Sequence, residues 1–229
     1  MTENNRKGRM LTRPGATLKA LRKKKGMTIA DVSLKTGLPL SSISKLENDK
    51  IALTFDKLIL VSEALDVDIS ELFAAPNDLM PRVDGATRRS ITRASEGRAI
   101  ETAQGNYLYL ASELLYKKLA PIFGEVFQKD ITKYGEFFSH PGEEFVYVLQ
   151  GTLELHTEIY TPAKLEVGDS IYFDSSMRHA YIAVGDEPCR ILSICTTTGS
   201  DGGNFFGNKT LQVDTAEAGK TKRRTKTSS

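Results

Sequence analysis

Long apolar runs are missing from this sequence. No stretch approaches the roughly 20 uninterrupted apolar residues that a membrane span requires, and the first 25 residues are polar and basic, without the apolar centre of a secretory signal. These absences exclude a membrane-spanning protein and predict a cytoplasmic one. Cysteine is nearly absent as well. Cys189 and Cys195 are the only two, and at six positions apart in one apolar stretch they share a strand face along too straight a path for a disulfide. Buried free thiols are expected in place of covalent staples.

What the 229 residues do contain is 40% apolar side chains, enough for two compact domains with a core each. The net charge of +2 conceals a segregation. Residues 1–75 carry 13 basic and 9 acidic side chains, whereas residues 106–214 carry 8 basic and 15 acidic. A basic, nucleic-acid-facing N-terminal end and an acidic remainder follow from that asymmetry.

Short helical signals crowd the segment 14–74. Pro14 opens the first, which runs to Lys25 with Leu18 and Leu21 on one face and stops at Gly26. Thr28, followed three residues later by Asp31, caps a second whose apolar positions are Ile29, Val32 and Leu34 and whose stop is Gly37. The third, Leu40 to Asn48, turns Ile43 and Leu46 inward and Ser41, Ser42 and Lys45 outward. A small, polar outer face is what a helix needs to enter a major groove about 12 Å wide and reach base edges or phosphates. A fourth, capped at Thr54, buries Phe55, Leu58, Val61, Ala64 and Leu65, and a fifth turn, Ile69 to Phe73, closes a five-helix domain.

The run GMTIADVSLKTGLPLSSISKLENDKIALTFDKLILVSEALDVDISELF resembles the lambda-repressor/Cro-like, or Xre-type, helix-turn-helix domain, with Gly37 as the turn glycine and Ser33 as the small packing residue. The resemblance implies that residues 28–47 form the DNA-binding motif, with Thr28, Leu40, Ser41, Ser42, Ser44 and Lys45 as its DNA-facing set. Ile29 stands where the family commonly has a glutamine able to bond DNA, which removes that contact.

Between 75 and 105 the periodicity lapses, and Pro76, Pro81, Gly85 and Gly97 punctuate a segment carrying Arg82, Arg88, Arg89, Arg93 and Arg98. It reads as a linker, with one strand around Ser90 to Arg93. The stretch RRSITRASEGR either contacts phosphates, docks on the acidic domain, or is simply solvated.

From Tyr107 the pattern changes to short β-type runs separated by turns, with Gly151 and Gly168-Asp169 as hairpin and corner signals. Residues 106–198 are expected to form an antiparallel barrel. Tyr107, Tyr109, Phe127, Tyr147 and Phe173 are its aromatic core or pocket-wall candidates. HPGEEFVYVLQG and GDSIYFDSSMRHAYIA resemble the two paired motifs of the cupin superfamily, a jelly-roll β-barrel. His140, Glu144 and Gly151 fit the first motif and His179 the second, but Phe138 occupies the position of the first motif's leading histidine. Two imidazoles and a carboxylate converging from neighbouring strands would suit zinc, iron, manganese or nickel; alternatively, the same groups form a hydrogen-bonded cluster that holds a ligand carboxylate. Glu143 is expected on the opposite face, and His156, between Glu154 and Glu158, at the surface.

The fold class that follows is a multidomain α + β chain: a basic arm (1–13), a helix-turn-helix domain (14–74), an Arg-rich linker (75–105), a cupin domain (106–198) and a basic tail (199–229). The combination is similar to bacterial regulators with a C-terminal cupin sensor. That resemblance implies a homodimer binding double-stranded operator DNA in response to a small-molecule or metal effector. Two alternatives stand beside it: a cupin metalloenzyme with an added DNA-binding domain, and a regulator whose cupin is only a dimerisation scaffold.

Overall fold

The computed structural model describes residues 10–11, 14–73, 87–94 and 96–196. Most of the basic arm, the linker from 74 to 86 and the tail from 197 lie outside the described residues.

The N-terminal unit contains four α-helices: α1 (Gly15–Lys24), α2 (Ile29–Thr36), α3 (Leu40–Glu47) and α4 (Phe55–Leu65). The expected fifth helix is instead a single 3-10 turn, Ile69–Leu72, whose start Asp68 and Glu71 fix in a capping box. Asp31 donates its backbone N–H to the Thr28 hydroxyl at 3.1 Å, and the Thr28 N–H returns to the Asp31 carboxylate at 2.7 Å, which fixes the start of α2. Gly37 ends it in the left-handed region at φ 73°, a conformation that costs a residue with a Cβ far more than glycine. At the head of α4 the Thr54 hydroxyl bonds the Asp56 side chain rather than a helix N–H. Leu18, Val32, Ile43, Leu46, Leu58 and Leu65 meet at the centre and are fully buried. Each leucine or isoleucine there contributes about 1.5–3 kcal/mol of hydrophobic stabilisation.

A pair that the periodicity does not announce crosses this core. Arg22 of α1 and Glu47 of α3 are both buried and form a two-pronged ion pair, Nη2 to Oε2 at 2.9 Å and Nε to Oε1. Arg22 also donates to the Met27 carbonyl at 2.8 Å.

The C-terminal unit packs two antiparallel sheets face to face. The strands are β1 (Met10–Leu11), β2 (Arg98–Glu101), β3 (Gly105–Tyr109), β4 (Leu119–Val126), β5 (Glu143–Gln150), β6 (Thr152–Thr157), β7 (Ala163–Leu165), β8 (Ser170–Asp174), β9 (His179–Val184) and β10 (Cys189–Thr196). One sheet has the order β1-β2-β3-β4-β10-β5-β8 and the other β7-β6-β9, the β1–β2 pair being parallel. Strict alternation sets which side chains face inward: along β10, Cys189, Ile191, Ser193 and Cys195 are buried and the residues between them are partly exposed. Both thiols are free. Gly151, at φ 77°, makes the β5–β6 hairpin, and a Cβ there would lie 3.1 Å from the Pro188 carbonyl oxygen.

β2 falls within the segment that composition assigned to the linker, and it pairs along its length with β3. Residues 90–93 form no strand; their side chains bind the loop after β3 instead, Ser90 to Glu113 and Thr92 to the Ala111 N–H at 3.0 Å. Of the arginines described there, Arg88 donates to the Leu115 carbonyl, whereas Arg89 and Arg93 are exposed.

Candidate functional site: an exposed helix face and a ring-lined cavity

Two places collect chemistry-bearing residues. The first is α3. Ile43 and Leu46 are fully buried, while Ser41 and Lys45 are exposed, Leu40 is 54% exposed, and Ser42 and Ser44 lie half-buried at the edges of the outer face. Thr28 is exposed at the head of α2. Ile29 packs against the core.

The second is the interior of the barrel. His140 lies just before β5, Glu144 on β5 and His179 at the start of β9. The expectation that they come from neighbouring strands fails: β5 and β9 belong to opposite sheets, so the groups meet across the barrel. All three are almost fully buried. His140 Nε2 is 3.3 Å from Glu144 Oε2, and His179 Nε2 is 3.5 Å from the same oxygen. Oε1 accepts from the Tyr181 hydroxyl at 2.7 Å and from the Ser193 hydroxyl. Burial pushes the Glu144 carboxyl up, but the facing His140 and His179 imidazoles outweigh it and hold it well below the ordinary glutamate range.

The tautomer of His179 follows from its other nitrogen. Nδ1 sits 2.8 Å from the Met177 carbonyl, which can only accept, so Nδ1 carries a hydrogen and Nε2 is the nitrogen turned to Glu144. Nε2 is buried and has no hydrogen-bond partner. A lone pair facing a carboxylate needs a cation between them, either a proton or a metal ion, and a backbone carbonyl on the distal nitrogen is the usual support of a metal-ligating histidine. A ligand atom of Cys195 also lies within 4.8 Å of those of His140 and Glu144. Phe138 packs edge-on against His179 with ring centroids 4.4 Å apart, closing the side where a third imidazole would stand.

Around this cluster is a cavity of about 180 Å³. Tyr107, Tyr109, Tyr134, Tyr181 and Phe138 supply aromatic walls. Two of the five sequence candidates, Tyr107 and Tyr109, therefore line it, whereas Phe127 and Tyr147 are more than a third exposed and Phe173 is core. Glu143 is only half-buried, and His156 bonds Glu154 at 2.5 Å on the outer sheet.

Residues 18–72 match the helix-turn-helix family and residues 132–195 the cupin domain family. The HTH-type transcriptional regulator PuuR of Escherichia coli (strain K12) is 28% identical over 189 residues, spanning 81% of this chain and 95% of that protein. The chain is a helix-turn-helix transcriptional regulator with a cupin domain. The crystal structure of an HTH_3 family transcriptional regulator from Vibrio cholerae shares the regulator's fold, with a TM-score of 0.53 at 18% identity over 81% of this chain and 95% of that one. An iron(II) form of HppE superposes with a TM-score of 0.43 at 19% identity, covering 80% of this chain and 98% of that one.

Sequence reasoning missed Tyr181, Ser193 and Cys195 as partners of the regulator's buried carboxylate. Parity could have found them: Tyr181 is two positions from His179, and Ser193 is the one hydroxyl on the inward face of an otherwise apolar β10. Phe55, which the helical pattern assigned to the helical core, also lines the cavity, and no local signal announces that.

Proposed function

We propose that the regulator acts in the cytoplasm as a homodimer that binds a pseudo-palindromic operator through two α3 helices, and that its cupin cavity takes a small-molecule or metal effector controlling that binding. One observation carries the reading. The outer face of α3 is exposed and uncommitted to the fold, while a polar donor cluster is buried in a separate cavity of the same chain. The first serves a large external partner and the second a small internal one. Lys45→Ala or Ser41→Ala is expected to weaken binding to the selected operator by about 1–3 kcal/mol per lost base contact. Footprinting that finds no sequence preference, or variants that bind unchanged, would remove α3 as the reading helix.

His140, Glu144 and His179 would hold a metal, which would supply a Lewis-acid anchor for a donor atom of the effector. The His140→Ala, His179→Ala double variant is expected to lose the bound transition metal and the stability it adds. Elemental analysis of the purified protein, alongside thermal unfolding with and without chelator, checks this. A metal-free wild type as stable as the double variant would favour a purely structural cluster. The scaffold alternative predicts operator affinity indifferent to every metabolite tested, and the enzyme alternative predicts turnover.

A further inference from the structure

The cavity is not built by the cupin unit alone. Leu38, in the turn between α2 and α3, and Thr54, Phe55, Asp56 and Lys57, at the head of α4, line it together with the barrel residues. Phe55 reaches furthest toward the buried cluster: its ring packs edge-on against His140 with centroids 4.8 Å apart and stacks on Tyr109 at 6.0 Å. Burial chiefly, then the barrel's own neighbouring groups, hold the Tyr107, Tyr109 and Tyr134 hydroxyls protonated, and the charge of Asp56 is close enough to add to that effect in all three. One continuous apolar cluster runs from Leu18 and Ile43 through Leu72 and Phe73 to Ile100, Tyr109 and Ile122.

A second set of contacts holds the units together beside this mouth. The loop between β3 and β4 docks on the 3-10 turn: Asp68 accepts from the Tyr116 N–H at 2.7 Å, and Ser70 donates to the Leu114 carbonyl at 2.9 Å. Ala111 and Tyr116 in that loop both have a positive φ, 50° and 52°, which side chains with a Cβ adopt only where surroundings impose it. The loop is held in an unfavourable conformation, and the contacts to the 3-10 turn are among those that hold it.

We propose that the DNA-binding unit is itself the lid of the effector cavity, seated by Phe55 and latched at Ser70, and that an occupant is sensed by lifting this lid. The inference rests on the reading of the cavity as the effector site. Volume carries it: about 180 Å³ is well under the roughly 300–1,000 Å³ of ordinary small-molecule pockets. An occupant of usual metabolite size therefore displaces the roof. With the lid seated the outer face of α3 remains exposed, so the closed state is able to dock on DNA. Lifting the lid leaves each DNA-binding unit on its linker, at a lower effective concentration for the second half-site.

The chain contains no tryptophan, so Phe55→Trp places a single fluorophore in the lid. Its emission is expected to be blue-shifted and shielded from iodide; emission and quenching matching free tryptophan amide would overturn the seating. Phe55→Ala and Ser70→Ala, each checked for native far-UV dichroism, should both bind the operator about tenfold more weakly. Because both break one state, the double variant should be no weaker than the weaker single; additive effects or wild-type affinities would overturn the lid. Ile122→Phe, which adds a ring at a cavity-lining position, stands in for an occupant. Combined with Phe55→Trp, it should expose the indole reporter to iodide and weaken the operator complex equally, and a reporter still shielded at unchanged affinity counts against sensing. A wild-type chain without sequence-specific binding would remove the regulator reading, while the fluorescence result would still decide the lid.

Discussion

Glu47→Ala is expected to destabilise the DNA-binding unit by about 3–5 kcal/mol, enough to unfold it in an otherwise marginal domain. The carboxylate is buried on α3 and bonded at both oxygens by Arg22 of α1, so truncating it strands a guanidinium in the core with only the Met27 carbonyl as acceptor. Hydrogen bonding to Glu47 raises the pKa of Arg22, burial opposes that rise, and attraction to Glu47 adds to it, so the charge stays on. The Arg22→Met, Glu47→Leu double variant removes both charges and should recover most of the loss, because a buried pair gains little over apolar side chains of similar volume. Urea unfolding followed by circular dichroism distinguishes the two cases. A single variant within about 1 kcal/mol of wild type would show that water reaches the pair.

This pair marks the limit of what periodicity reveals in the helical half. Spacing of three and four residues locates α1 to α4, and Thr28-Asp31 and Gly37 locate the ends of α2, because those signals are local to one or two turns. Arg22 reads as one of several exposed basic residues in LRKKK, and only the crossing of α1 over α3 makes it a core residue. The 3-10 turn reads as a helix for a related reason. Apolar spacing over four residues is the same for both, and so is the capping box that starts each.

In the barrel half the two motifs reveal the identities of the buried groups but not their arrangement. His140, Glu144 and His179 do converge, yet from opposite sheets, since strand order is a long-range property that spacing along the chain does not encode. β2 is hidden within an Arg-rich stretch because four residues of an edge-region strand, Arg98–Glu101, are too few to show alternation. The lid is the least legible element. Phe55 satisfies the helical pattern as a core position, and its contact with His140 depends on how the two units meet.

Glu144→Leu should cost the cupin unit roughly 3 kcal/mol, the scale of leaving more than one buried donor unsatisfied. The carboxylate accepts from Tyr181 and Ser193 and faces both imidazoles, so an apolar side chain leaves all of them buried without it. Glu144→Gln keeps an acceptor for the two hydroxyls and isolates the contribution of charge. Because the fold holds the carboxyl below its ordinary range, folding favours the ionised form. That stabilisation is fully present above the unfolded value of about 4.3 and is lost as the pH falls through it toward the folded value. The stability gap between wild type and Glu144→Gln should thus be constant from neutral pH to about pH 5 and narrow below it. Denaturation curves across that range test the sign: a gap that widens in acid would mean that the cluster carries its proton on the carboxylate, and that the lone pair of His179 has no cation to face.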